Sequence, residues 1–493
     1  MLEVSGLSFH YQPRVPVLTE LTFSVLDGEI VGLLGKNGVG KTTTLKLILG
    51  LLPIEKGSIC LGNYSLELNP MQYKKQISYV SDSHDIYNNL TGKEYLNFIA
   101  DMYEVPSKTR GTIYTPLIEA FQVEKYLNRP IKKLSHGTKQ KIAIIASLVN
   151  DPLLCVLDEP MTGLDVEAVQ VLKKLIQSRA SYGKSVLFSS HILEICENLC
   201  DKIVIMQAGM IKKTIKLAVF IGGYYYLSYL VIGKKYAIYD KEGRIRLTAT
   251  KFNSLPKLRS YFKKEYQTFF RNPVYVINGL FGIFITPFLL PLSFRISATA
   301  ESIEQIRLLV SAPEFSFYAV LFAIAVIVLT STINVVASSS FSREGASFWI
   351  AKIIPYPLKQ QAFVKALFST SISMMGIIIN CFIFKAYFHY GLIQIGVIAL
   401  VGISFAALWN LIGVWIDMKR PKLEWTNETE AIKQNVNVVL SILLCIAISI
   451  GYIFAVAKML QNGFPAGGVI TFLLCSVCIL ILLVCKGIAS YQE

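Results

Sequence analysis

Gly35, Gly38 and Gly40, with Lys41, Thr42 and Thr43 directly after them, bring an amine and two hydroxyls next to backbone that no side chain obstructs. Glycine lets the chain turn so that successive N–H groups face a single anion, an arrangement that holds phosphate. The run Gly35-Lys36-Asn37-Gly38-Val39-Gly40-Lys41-Thr42 fits the pattern G-x-x-x-x-G-K-[ST] in full. Lys41 is therefore expected to reach the outer phosphates of a nucleotide and Thr42 to ligate Mg²⁺, with Asn37 and Thr43 in the same cradle. Farther along, Asp158 and Glu159 stand side by side. Asp158 is suited to hold Mg²⁺, and Glu159 to polarise a water for attack on a γ-phosphate.

Groups with these tasks need rigid elements to aim them. The apolar run Glu29 to Leu34 predicts a strand that feeds the glycine loop, and a helix is expected to follow through Leu51. Leu153 to Leu157 is apolar throughout, as a strand covered on both faces of a parallel sheet should be. It ends at the acidic pair, the edge at which such sheets bind ligands. An α/β P-loop NTPase domain is the fold these elements imply.

Residues 1–214 resemble the nucleotide-binding domain of the ATP-binding cassette (ABC) family. Besides the two motifs above, Leu134-Ser135-His136-Gly137-Thr138 resembles the family signature, and Gly163-Leu164-Asp165 the loop that couples paired sites. His191, after Val186-Leu187-Phe188-Ser189-Ser190, resembles the switch histidine, and Tyr11 the aromatic that stacks on adenine. The resemblance implies ATP as ligand, with Ser135 and Gly137 donating to a γ-phosphate and His191 holding that phosphate or orienting the Glu159 water. One departure stands out: where the family has a glutamine that contacts Mg²⁺, this chain has Asp82. A carboxylate can also ligate Mg²⁺, at the cost of added negative charge beside Asp158 and Glu159. Having His136 where the signature commonly has glycine is a milder change. In the family, the signature of one domain closes on the phosphate loop of another. A single copy of each therefore implies a homodimer or pairing with a related ABC half-transporter.

The whole chain has 493 residues, 53% of them hydrophobic and 16% charged, with a net charge of +15. That is too apolar for an ordinary soluble domain and excludes disorder. The charge is unevenly placed. Residues 1–233 hold 24 basic and 21 acidic side chains, residues 234–273 hold 11 and 3, and residues 274–493 hold 13 and 9. No basic segment followed by an apolar one opens the sequence, so no secretory signal is expected and the start is read as cytosolic. Six apolar runs are about as long as a bilayer-spanning helix: Val274 to Phe294, Phe315 to Ala337, Ala366 to Phe384, Leu392 to Ile416, Val436 to Val456 and Pro465 to Val484. Segments expected inside carry 20 Lys and Arg against 4 outside, which orients both the ATPase and the C-terminus toward the cytoplasm.

The domain plan is thus 1–214, a basic linker 215–273, and an all-α polytopic membrane domain 274–493, weakly similar to ABC-2 type export permeases. Within the linker, 217–233 is read as a re-entrant or interfacial segment that does not cross, and 255–271 as a helix lying in the membrane interface. The loop Ser339 to Lys365 is expected to dock on the ATPase, and Lys385 and Asp417 to mark membrane interfaces. Cys196/Cys200 and Cys475/Cys478 have spacings a metal could use but lack a completing pair, so all the cysteines are read as buried thiols.

These features point to a multi-pass exporter half-transporter of the cell membrane that hydrolyses ATP with Mg²⁺ and moves a substrate the sequence does not name. Nucleic acid is not expected as a partner, because the excess charge sits where basic side chains meet anionic lipid. The alternatives are a membrane-anchored ABC ATPase that regulates, senses or confers resistance without cargo, and a shortened fusion with impaired transport.

Overall fold

The structure, a computed structural model, describes residues 1–83, 85–216, 252–281 and 304–491, apart from 306, 309, 311 and 333. The run 217–233, most of the basic stretch after it and the portion of the first expected span beyond residue 281 lie outside the described residues. The chain forms two units, Met1–Ser260 with Trp349–Pro357, and Tyr261–Phe348 with Leu358–Glu493.

In the first unit, β1 (Leu2–Gln12), β2 (Val15–Val25), β4 (Lys56–Leu61) and β5 (Tyr64–Ser65) form an antiparallel sheet in the order β2-β1-β4-β5. A second sheet has the order β10-β9-β3-β8-β7-β6. Its strands are β3 (Ile30–Leu34), β6 (Ile77–Val80), β7 (Leu154–Leu157), β8 (Ser185–Ser190), β9 (Lys202–Gln207) and β10 (Met210–Lys216). The central strands β6, β7, β8, β3 and β9 run parallel, and β10 returns antiparallel to β9. Every residue of β6, β7 and β8 is buried, which accounts for the unbroken apolar run of β7. Leu33, Leu45, Ile48, Ile77, Val156 and Leu187 meet in the core between the layers.

Three helices make a lobe beside the sheets. Gly92–Met102 begins with a capping box in which Thr91 and Glu94 satisfy each other's backbone N–H groups. Ser107–Ala120 carries Arg110, and His136–Ser147 is capped by the Ser135 side chain. Asp101 and Arg110 form a buried ion pair at 2.7 Å. Asp101 also accepts from Leu255 N at 2.9 Å and Ser260 Oγ at 2.5 Å, while Arg110 donates to the Asn253 carbonyl at 2.8 Å. The pair therefore fastens residues 253–260 to the lobe.

The short piece Trp349–Pro357 packs into this unit as well. Trp349 donates from Nε1 to the Asp85 carbonyl at 2.9 Å, and its ring meets Tyr79 edge-on at 5.2 Å. Lys352 donates to Leu51 O, and Ile353 joins the core at 5% exposure. The loop Ser339 to Lys365 is thus divided between the units.

In the second unit, five helices among the described residues are long and apolar enough to cross a membrane. Helical residues run through Pro313–Thr332, Leu358–Phe388, Leu392–Lys419, Val436–Gln461 and Ala466–Ala489. Leu392–Lys419 packs against each of the other four. Gly402 permits one close approach, since a Cβ there would lie 2.7 Å from Ile327 Cγ2. Polar side chains tie the bundle together: Asn334 Nδ2 donates to Ser373 Oγ at 2.8 Å and to Asn410 Oδ1 at 3.2 Å.

Two expected boundaries shift. The helix expected to reach Ala337 ends at Thr332, because Asn334 leaves helical geometry and its side chain caps the short helix Val335–Ser338. The helix expected from Ala366 begins at Leu358, because Lys365 is buried among partners rather than marking the helix start. Lys365 donates to Glu344 at 2.6 Å, Glu265 at 2.7 Å and the Ser340 carbonyl at 2.9 Å, and Lys264 donates to both carboxylates. Burial works against the ionised Glu265, yet Lys264, Lys365 and Arg343 hold its carboxyl down at about 2. Asp417 is fully buried and accepts hydrogen bonds from Phe341 N, Ser342 N and Oγ, and Asn437 Nδ2. It anchors the start of the Ser342–Ser347 turn. Cys475 and Cys478 are exposed on their helix, contrary to the reading of all the cysteines as buried.

Candidate functional site

The helix Lys41–Ile48 starts at Gly40, whose φ of 102° lies in the left-handed region, as does that of Gly38 at 83°. Glycine is required there because an ordinary side chain would be strained, and at Gly40 a Cβ would also sit 2.6 Å from Leu18 Cδ2. Gly35 is confined differently, with the Met206 carbonyl 2.9 Å from the place of a Cβ. Lys41 lies across this loop, donating from Nζ to Gly35 O at 2.7 Å and Lys36 O at 3.3 Å. The loop presents the helix N-terminus and a buried amine to one point, a site for phosphate.

At the end of β7, Asp158 is fully buried. Its Oδ1 accepts from Ser189 Oγ at 2.5 Å, while Oδ2 is buried without a hydrogen-bond partner. Burial raises the Asp158 carboxyl above the usual range, against the Ser189 hydrogen bond, and the nearby Asp82 and Glu159 charges add to the rise while Thr42 opposes it. A carboxylate oxygen without a donor, with the Thr42 hydroxyl and the exposed Asp82 carboxylate around it, is a donor set that fits Mg²⁺. Such an ion would supply the positive charge that this acidic group lacks.

Glu159 has φ at 44°, a strained value for a residue with a side chain. The strain is held in place by the Glu159 N–H, which donates to Ser189 Oγ at 3.0 Å. The result points the carboxylate at His191, with Oε1 3.0 Å from Nδ1, and brings it 3.8 Å from Lys41 Nζ. Lys41, Asp158, Glu159 and His191 thus come together, although more than a hundred residues separate the first from the others. Tyr11 is exposed, with its ring edge-on to Phe9 at 5.0 Å and its hydroxyl 3.4 Å from Thr43 Oγ1, so it stands beside the same loop.

Ser135 and Gly137 lie at the start of His136–Ser147. The Ser135 hydroxyl is an N-cap that accepts from Thr138 N, and Asp165 likewise caps Val166–Ser181 and pairs with Lys141 at 2.6 Å. A Cβ on Gly137 would lie 2.6 Å from the Gly163 carbonyl, so the two loops touch within one chain. Gly137→Ala is expected to push them apart and lower ATP hydrolysis roughly ten- to a hundred-fold with little change in thermal unfolding. An unaltered rate in a steady-state phosphate-release assay would refute this.

The residue that the sequence left unmarked is Ser189. It serves both members of the acidic pair, and in sequence it is one of three serines in the strand Ser185–Ser190, with nothing to single it out.

A family model described as ABC transporter matches residues 18–162, and one described as a membrane protein of 12 TMs matches residues 186–486. The ABC-type transporter ATP-binding protein EcsA of Bacillus subtilis (strain 168) is 35% identical over 212 residues, covering 43% of this chain and 85% of that protein. The chain belongs to the ABC transporter family. The ABC transporter ATP-binding protein NatA of the same organism is 31% identical over 213 residues, covering 42% of this chain and 87% of NatA. The solved structure of an ATP binding subunit of an ABC transporter is 35% identical and covers 44% of this chain and 90% of that one, with a TM-score of 0.43. This ABC transporter chain is an ATPase with an N-terminal α/β ABC domain, followed by a helical domain of a membrane-protein family.

Proposed function

We propose that the chain is an ATP-driven exporter half-transporter that acts as a dimer, with its nucleotide-binding domain (1–214) and C-terminus in the cytoplasm and residues 274–493 in the cell membrane. The observation that carries the coupling of hydrolysis to movement is the packing of Trp349–Pro357 against the end of β6, the strand that leads to Asp82. A residue that moves when Mg²⁺ and nucleotide bind at Asp82 pulls on the Asp85 carbonyl, and Trp349 is fastened to that carbonyl.

In this reading Gly35, Asn37, Gly38, Gly40, Lys41, Thr42 and Thr43 bind the phosphates, and Tyr11 stacks on adenine. Thr42, Asp158 and Asp82 hold Mg²⁺, which when bound neutralises charge on the phosphates. Glu159 accepts a proton from the attacking water, and His191, 3.0 Å away, keeps the carboxylate aimed. Lys41 offsets negative charge at the γ-phosphate. Ser135 and Gly137 complete the site of the second subunit, a homodimer partner or a related half-transporter. The name of one relative, Nod factor export ATP-binding protein I of Burkholderia orbicola (strain AU 1054), 33% identical over 193 residues, supports the outward direction.

The test is ATP-dependent flux in reconstituted vesicles. Flux accompanied by hydrolysis supports export; hydrolysis without flux across a panel of amphipathic and peptide substrates refutes it and favours a regulatory ATPase. Trp349→Ala is expected to separate the two activities. It removes about 2–3 kcal/mol of aromatic burial at the docking point. Flux should fall roughly ten-fold or more while basal hydrolysis changes little. Equal losses of both in the vesicle assay would argue against a coupling role.

A further inference from the structure

Cys196 and Cys200 lie one helical turn apart on the buried face of Leu193–Leu199 and at its end. Both sulfurs rest over a single α-carbon. A Cβ on Gly32 of β3 would lie 2.6 Å from Cys200 Sγ and 3.1 Å from Cys196 Sγ. Two thiols crowded over one glycine are in reach of each other, and the Cys200 N–H donates to Cys196 O at 2.9 Å, closing the turn that carries them. The interaction of the two thiols holds Cys196 below its ordinary range, against burial and the charges of Glu159 and Glu197, and pushes Cys200 up. One sulfur is thus disposed to attack and the other to resolve. The Ser190 side chain also favours the Cys196 thiolate, and Ser190 Oγ accepts from Ile192 N at 3.0 Å across His191. The segment is lightly held: residues 191–194 are exposed, and the helix spans only 7 residues. Local opening of so short an element admits a small oxidant.

We propose that Cys196 and Cys200 form a reversible intrachain disulfide, made by a hydroperoxide, that disables the ATP site. The Cys196 thiolate attacks the peroxide oxygen, breaking the O–O bond and releasing hydroxide or alkoxide, and becomes a sulfenic acid. The Cys200 thiol then displaces the sulfenic oxygen, its proton leaves with that oxygen as water, and the S–S bond forms. A dithiol reductant reverses the change. Bonding draws the Cys196 sulfur away from Ser190 and shifts the turn that aims His191 at Glu159. The effect on activity rests on the reading of Glu159 and His191 given above.

The test uses the full chain in detergent or lipid discs, as wild type, Cys196→Ser and Cys200→Ala. Each is treated with hydrogen peroxide and then with dithiothreitol. Trypsin should release both cysteines in one peptide, residues 185–202. The oxidised wild-type peptide is expected to be lighter by two hydrogens. Hydrolysis should fall roughly ten- to a hundred-fold on oxidation and return on reduction, with neither variant responding. A peptide that keeps two free thiols overturns the proposal, as does full activity in disulfide-bearing protein or an equal loss in the variants. Hydrolysis by the reduced wild type tests the site reading alone, and the peptide mass tests the disulfide alone. Because the mass is read on wild type, the test survives a variant that fails to fold.

Discussion

Replacing Glu159 by glutamine should lower ATP hydrolysis roughly 100- to 10,000-fold while leaving nucleotide binding intact. The substitution keeps size and shape, and the backbone N–H still donates to Ser189 Oγ, so the strained φ of 44° is retained. What is lost is a base 3.0 Å from His191 Nδ1 and a negative charge 3.8 Å from Lys41 Nζ. Losing that charge frees the Lys41 amine for phosphate, so ATP affinity should hold or rise. The measurement is phosphate release in parallel with a fluorescent-nucleotide titration. Near-normal turnover would remove Glu159 from the proton-transfer role, and lost binding would place it in nucleotide retention instead. Asp158→Asn provides the contrast: Mg²⁺-dependent binding should weaken there, because the buried Oδ2 would become a neutral amide group.

Asp101→Ala is expected to cost about 3–5 kcal/mol, the penalty of leaving a buried charge without its partner. The two side chains are 1% and 2% exposed, so solvent cannot replace the lost carboxylate. Arg110 would keep the Val105 and Asn253 carbonyls, but Leu255 N and Ser260 Oγ would lose their acceptor as well. For a unit of this size the thermal midpoint should drop by roughly 6–20 °C. Arg110→Met on the Asp101→Leu background should recover part of the loss, since an apolar pair removes the unpaired charge. A single substitution that leaves the midpoint unchanged in differential scanning fluorimetry would show that the pair contributes no net stability.

The parts of this chain that read clearly from sequence are those where the physics is local. The glycine spacing at 35–40 requires left-handed backbone, and the apolar run at 154–157 requires a covered strand; both are where they were expected. Five of the six expected spans coincide with helices that are long and apolar enough to cross a bilayer, since about 20 apolar residues are a signal the sequence carries by itself. Their ends were not. The polar first turns of Leu358–Phe388 read as loop because nothing in the sequence says that Lys365 will meet Glu265 and Glu344, which lie 100 and 21 positions away. The same limit hid Ser189, whose role depends on β7 and β8 being neighbours. The spacing of Cys196 and Cys200 was visible, but not that both sulfurs rest over Gly32 on a third strand. Asp417 reads as a boundary residue for the same reason, since its partners come from other segments of the bundle.

The first unit is not a continuous stretch of chain. Ile353, 5% exposed within the core that β3 and the helix Lys41–Ile48 build, comes from a piece that follows the apolar helix Pro313–Thr332 in sequence. Cutting the chain at residue 260 would strip an apolar seat of its cover and leave Tyr79 and the Asp85 carbonyl without Trp349. In order of synthesis, that cover follows the helix Pro313–Thr332.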